Sequence, residues 1–197
     1  MIRLFVAIEI PESVRLRMAA LGAGVPGARW VESQNLHLNL RFIGEVDEGV
    51  FRDIAGVLEE VHAPGFDLTL EGIGYFGSGK AARSIHVEVA RNPELGFLRD
   101  KIESALVRMG LPPEARKFSP HVTLARLKGT SAERLGVFLA HNNLFHAGPI
   151  AVGRFTLFSS FLSHSGPIYR AERIYPLANR AAPAQALGAA AEDDIGG

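Results

Sequence analysis

Hydrophobic positions along this chain switch between two spacings, and the switches divide it into strands and helices. Ile2 to Ile10 is almost continuously apolar and β-rich, the pattern of a central strand. Pro11-Glu12-Ser13 opens a helix, and the breakers between Gly22 and Gly27 close it. From Asp47, a natural N-cap, to His62, the residues Val50, Phe51, Ile54, Val57, Leu58 and Val61 recur at three and four, which predicts an amphipathic helix. Pro64-Gly65 stops it. Phe66, Leu68 and Leu70 then alternate with Asp67, Thr69 and Glu71, a half-buried strand, and Gly72 to Lys80 reads as a glycine-rich loop. Ile85, Val87 and Val89 share one face of the next strand. Leu95, Leu98, Ile102, Ala105 and Leu106 line a helix opened by Asn92-Pro93 and capped by Gly110. Ser131-Ala132-Glu133 begins a fourth helix. Ala151 to Ser159 and Ile168 to Tyr175 are the last strands, joined by a turn over Phe161 to Pro167. Arg29 to Val31 reads as a short extended piece and Phe145 to Ile150 as irregular.

Several of these strands are joined by short loops, which implies antiparallel pairing. The class is therefore α+β, with sheet covered by helices on one face and open on the other. Residues 1–177 form one domain. From 178 onward the chain is Ala, Gly and acidic residues with little to bury, and disorder is expected there.

Two further strands carry the chemistry. In Asn35-Leu36-His37-Leu38-Asn39-Leu40, alternation puts Leu36, Leu38 and Leu40 on one face and His37, Asn39 and Arg41 on the other. In Phe118-Ser119-Pro120-His121-Val122-Thr123-Leu124-Ala125-Arg126, Val122 and Leu124 oppose His121 and Thr123. Each strand offers an imidazole and a short polar side chain side by side, and each sits in its own strand–helix–strand unit, a weak internal duplication. Two imidazoles across one cleft can act near neutral pH as base and acid together. Their natural substrate is a phosphodiester, with Asn39 and Thr123 holding phosphate oxygens; neither a metal nor another cofactor is required. Arg41 and Arg126 are further phosphate donors. Arg126, five residues from His121, needs a bulge or the strand's end to reach the same face.

Composition narrows this picture. There are 21 basic and 21 acidic residues, so wholesale electrostatic binding of long nucleic acid is not indicated, while a local basic groove remains open. Seventeen of the basic residues are arginine, which is compatible with phosphate recognition but, in a chain rich in Ala and Gly, reads first as compositional bias. The absence of cysteine removes disulfides and thiolate chemistry. No apolar run approaches the roughly 20 residues of a membrane span, and the N-terminus lacks a signal-peptide pattern. A soluble, cytoplasmic monomer is expected.

The remaining histidines, His62, His86, His141, His146 and His164, read as helix-end, loop or sheet-surface residues. No His-Glu-x-x-His spacing supports a zinc site. Gly72-x-Gly74-x-x-Gly77 formally matches a dinucleotide fingerprint, but no helix follows it, and it reads better as a mobile loop beside the cleft.

The two histidine blocks, together with Arg3-Leu4-Phe5-Val6-Ala7-Ile8 and the segment from Ser159-Ser160 to Gly166-Pro167-Ile168-Tyr169, resemble the two-histidine (2H) phosphoesterases. The resemblance is specifically to the RNA 2′,3′-cyclic phosphodiesterases formerly called 2′-5′ RNA ligases, and it covers residues 2–177. It implies two lobes of antiparallel sheet with helices outside, related by a pseudo-two-fold axis, with a groove between them. It implies hydrolysis of an RNA or nucleotide terminal 2′,3′-cyclic phosphate to a 2′-phosphomonoester, with His37 as proton donor and His121 as proton acceptor. Thr123 carries over as a phosphate ligand. Asn39 departs from the family's Thr or Ser, yet its NH₂ can still donate. Phe42 is a candidate base contact. The same acid–base pair would serve 2′-5′ RNA ligation or cyclic-nucleotide hydrolysis, and a groove that binds a nucleotide without turnover is the alternative from another class.

Overall fold

The apolar run at the N-terminus becomes β1 (Ile2–Glu9), which lies inside a sheet rather than at its edge. The computed structural model describes residues 1–178 except Ala23, Gly79, Lys80, His164 and Ser165. After β1 come α1 (Glu12–Ala19), β2 (Ala28–Trp30), β3 (His37–Val46), α2 (Glu48–Glu59), β4 (Phe66–Phe76), β5 (Ser84–Val89) and α3 (Pro93–Arg108). Then follow β6 (His121–Leu127), α4 (Ala132–Asn142), β7 (His146–Val152), β8 (Arg154–Ser163) and β9 (Gly166–Pro176).

Side chains end the helices where the sequence places caps. Asp47 accepts from the Val50 N–H at 2.9 Å, Asn92 from Leu95 at 2.8 Å and Ser131 from Arg134 at 3.2 Å, each satisfying an amide left open by the first turn. The apolar stripes behind these caps, Ile54 and Leu58, Leu95, Leu98 and Ile102, and Leu135 and Phe138, join Leu38, Val122 and Leu157 of the sheet in one core. Tyr175 ties β9 to α2 by donating to the Ala55 carbonyl at 3.0 Å.

The strands run β7-β4-β5-β6-β3-β1-β8-β9, with β2 added to β6, and the registered pairs are all antiparallel. The β7-β4-β5-β6 lobe and the β3-β1-β8-β9 lobe meet along β3 and β6, where Leu38 faces Val122. His37 and His121 are the residues just before each of these two.

Three expectations need correction. The turn over Phe161 to Pro167 is mostly strand: β8 runs on to Ser163 and β9 starts at Gly166, with Phe161 opposite Ile168 and Leu162 opposite Pro167. Gly72 to Phe76 is not loop: it continues β4, pairing with β5 as far as Phe76 opposite Ser84. The glycines hid the strand because they carry no side chain to show alternation. The segment expected to be irregular is β7, an edge strand on β4, and Pro149 is tolerated there because an edge has one unpaired side. The tail beyond 178, and Lys80, lie outside the described residues; Ala178 itself bridges to Pro64.

Candidate active site

Both histidine strands break their alternation in the same way. Pairing with β1 sets Glu9 opposite His37, Ala7 opposite Asn39, Val6 opposite Arg41 and Phe5 opposite Phe42. One extra residue, Leu40, is inserted between Asn39 and Arg41. In β6, Glu88 is opposite His121, His86 opposite Thr123, Ile85 opposite Ala125 and Ser84 opposite Arg126, with Leu124 the extra residue. A bulge of one residue reverses the parity of everything after it. His37, Asn39 and Phe42 therefore share the open face of one lobe, and His121, Thr123 and Arg126 that of the other.

This reversal corrects Arg41. Its side chain, 9% exposed, turns to the helix side and meets Glu103 of α3 at 2.7 Å and Glu114 at 3.3 Å. It also donates to the carbonyls of Pro112 at 2.6 Å and Phe42 at 2.8 Å. Arg41 is an internal tie that holds the loop before the second histidine strand to α3. It is not on the groove face and is not a phosphate ligand there. Arg126 does reach the open face, by the bulge it needed, and lies close enough to the Tyr169 phenol of the other lobe for its charge to act on it. Phe42 is 51% exposed on the same face, beside Phe5. Neither Asn39 nor Thr123 has a side-chain hydrogen bond among the described residues, so both are available to a ligand.

The two imidazoles are held alike. His37 Nδ1 lies 2.7 Å from the Asn35 carbonyl, and His121 Nδ1 lies 2.7 Å from the Ser119 carbonyl. A carbonyl only accepts, so each Nδ1 carries the hydrogen and each Nε2 is left as the group that exchanges protons. Each ring also belongs to a cluster of three. His37 packs on Phe5 at 4.9 Å and edge-on to Tyr169 at 5.2 Å, with Phe5 4.9 Å from Tyr169. His121 packs on Phe76 at 4.8 Å and His86 at 5.1 Å, with Phe76 stacked on His86 at 4.2 Å.

Burial lowers the His37 pKa below the usual histidine value; the Asn35 carbonyl opposes this and the nearby His121 charge adds to it. A cavity of about 60 Å³ beside His37 is lined by Phe5, Glu9, Arg15 and Tyr169 among others. Arg15 Nε is buried without a hydrogen-bond partner among the described residues, while its Nη1 donates to the Gln34 carbonyl at 3.2 Å. Among the described residues no three His, Asp or Glu side chains are grouped to hold a metal ion.

Sequence reasoning passed over Phe5, Arg15, Phe76, His86 and Tyr169. For His86 a signal existed: Ser84, His86 and Glu88 are the polar parity of a strand whose other parity is Ile85, Val87 and Val89. Nothing local tied that parity to the histidine groove.

The family model described as LigT like Phosphoesterase matches twice, over residues 8–86 and again over 87–169. Each match contains one histidine strand. The chain belongs to the LigT-like phosphoesterases. Among curated LigT-like relatives, the RNA 2′,3′-cyclic phosphodiesterase of Aeropyrum pernix is 38% identical over 158 residues, covering 79% of this chain and 89% of that protein. The one of Thermotoga maritima is 34% identical, covering 85% and 91%. The crystal structure of E. coli LigT complexed with 3′-AMP superposes with a TM-score of 0.72 at 28% identity, covering 89% of this chain and 98% of that one. The doubled match is the sequence counterpart of the two histidine strands, each lying in its own matched segment.

Proposed function

We propose that this protein hydrolyses terminal 2′,3′-cyclic phosphates of RNA or nucleotides to 2′-phosphomonoesters, by acid–base catalysis between His37 and His121. The observation that carries the reading is the matched pair of imidazoles, each anchored through Nδ1 with Nε2 free, in a chain whose relatives bear the name of that activity. Water attacks phosphorus while His121 Nε2 takes its proton. The bond from phosphorus to the 3′ oxygen breaks, and His37 Nε2–H protonates the departing oxygen. Thr123, Asn39 and Arg126 hold the phosphoryl oxygens, and Phe42 supplies a face against which a base can stack. Burial at His37 disfavours its charged form, so the negative phosphodiester is what draws the donor proton onto it. The reaction calls for no cofactor, and the protein acts as a cytoplasmic monomer.

The test is incubation with a 2′,3′-cyclic mononucleotide in the presence of EDTA, with products separated by chromatography. A 2′-phosphate product supports the reading. Ligand recovered bound but unchanged identifies a nucleotide-binding module, and a 3′-phosphate product overturns the assigned leaving oxygen.

A further inference from the structure

One imidazole beside the site has no place in that mechanism. His86 on β5 lies opposite Thr123 and next to Glu88, which lies opposite His121. Only 5% of His86 is exposed. Its Nδ1 is buried without a hydrogen-bond partner among the described residues, and its Nε2 stands 4.0 Å from a Glu88 carboxylate oxygen, too far for a hydrogen bond. A ring nitrogen buried without a partner is costly, and the fold makes specific room for the ring. Gly74 is its neighbour on β4. A Cβ there would stand 2.8 Å from His86 Nε2 and 2.5 Å from Glu88 Oε1, closer than real contacts allow. The glycine pattern that formally matches a nucleotide loop is thus, at Gly74, a seat for His86.

Comparing the two lobes isolates what the seat is for. The register position of His86 is occupied in the first lobe by Ala7, opposite Asn39, and that of Gly74 by Thr156. The His37 ring is instead confined by burial and by Phe5 and Tyr169. A histidine held through Nδ1 alone can still swing about that bond, because its outer torsion is soft. At His121 the rings that oppose such a swing are Phe76 and His86. The titratable groups around His86 are His121 from β6 and Glu88 on its own strand, while β4 presents Gly74 and Phe76, which do not titrate. Burial foremost, and then His121, hold the His86 pKa down to about 4, so at neutral pH the wedge adds no charge to the half-site.

We infer that His86 is a positioning residue for His121: wedged between Gly74 and the His121 ring, it holds His121 Nε2 toward the groove and exchanges no proton with substrate. The inference rests on the hydrolytic reading above, since His121 is there the base.

Three variants test it: His86→Ala, His86→Phe and Gly74→Ala, each checked for folding by thermal denaturation and assayed on a 2′,3′-cyclic mononucleotide. His86→Ala is expected to lower kcat on the order of 10- to 100-fold with KM nearly unchanged, the scale of a misplaced group, and His86→Phe to restore most of it. Gly74→Ala, which displaces the ring without removing it, is expected to lower kcat in the same sense; it decides the matter should His86→Ala not fold. The His121 Cε1–H resonance is followed alongside and is expected to broaden or shift in His86→Ala and to stay parental in His86→Phe. Parental kcat in both His86→Ala and Gly74→Ala overturns the inference. So does a Phe variant as slow as the Ala variant, which would make the imidazole nitrogens the working part. If the parent protein itself shows no turnover, the hydrolytic reading fails, and the resonance alone then decides whether His86 orders His121.

Discussion

Arg41 and Arg126 leave their strands on opposite faces of the sheet, although each lies just beyond a motif of histidine, one apolar residue and a short polar side chain. Both strands insert one extra residue after that polar side chain, Leu40 in one and Leu124 in the other. Arg41 is the first residue beyond its bulge and turns inward; Arg126 is the second and turns to the groove. Arg126→Ala is therefore expected to raise KM for a cyclic phosphate and weaken inorganic phosphate binding about tenfold or more, the worth of one charge-assisted hydrogen bond. Equal phosphate affinity in the variant and the parent, read by calorimetry, would remove Arg126 from the site.

Arg41→Ala is expected to act on stability. It leaves Glu103, whose side chain is 14% exposed, without the partner now 2.7 Å away. The Glu114 N–H still donates to Glu103 at 2.7 Å, but the remaining cation, Arg99, is more distant at 3.8 Å. Breaking a buried pair from one side costs about 3–5 kcal/mol. Urea denaturation should show this loss, while KM of the folded fraction stays parental. A raised KM with parental stability would return Arg41 to the list of phosphate ligands.

Asn39→Ala and Thr123→Ala separate the two half-sites. Each should lower kcat/KM, because each removes a donor from the phosphoryl group, on the order of tenfold for a hydrogen bond to a charged group. Thr123 sits in the strand that keeps the family pattern, and its loss should be the larger. An Asn39→Ala variant with parental kcat/KM would show that Asn39 does not touch the phosphate.

Acid should destabilise the fold through its buried imidazoles. The free side-chain value is 6.5 and the folded value of His86 is about 4. As pH falls the unfolded chain takes up the proton first, so stability present above about pH 6.5 is lost between there and pH 4. From His86 the loss is on the order of 2–3 kcal/mol. His37 is shifted in the same direction and adds to it. The urea midpoint measured at pH 7.5 and at pH 5 should differ less in His86→Phe than in the parent. An unchanged difference would mean that other groups carry the acid sensitivity.

The lowered His37 also orders the pH–rate profiles. With His37 as donor, kcat/KM requires its proton in the free enzyme, where burial has lowered the pKa, and kcat requires it in the complex, where the phosphodiester raises it. The alkaline limb of kcat/KM should therefore fall at lower pH than that of kcat. If instead the acid limbs separate in this way, the donor and acceptor roles are exchanged.

The sequence by itself determined the parts whose cause is local. Period-two alternation set Leu38 against His37 and Val122 against His121, caps at Asp47, Asn92 and Ser131 started helices, and the repeated histidine pattern announced two half-sites. What alternation cannot express is a break in its own period. The bulges at Leu40 and Leu124 exist because β3 and β6 must match partner strands distant in the chain, and they decided that Arg41 is buried while Phe42 and Arg126 face the groove. The glycines of β4 looked like a loop for the same reason: what they make room for, His86 and Glu88, arrives from another strand. Only the tertiary structure could bring Gly74, His86 and His121 together, because that cluster is held by cross-strand register and ring packing rather than by anything encoded within one strand.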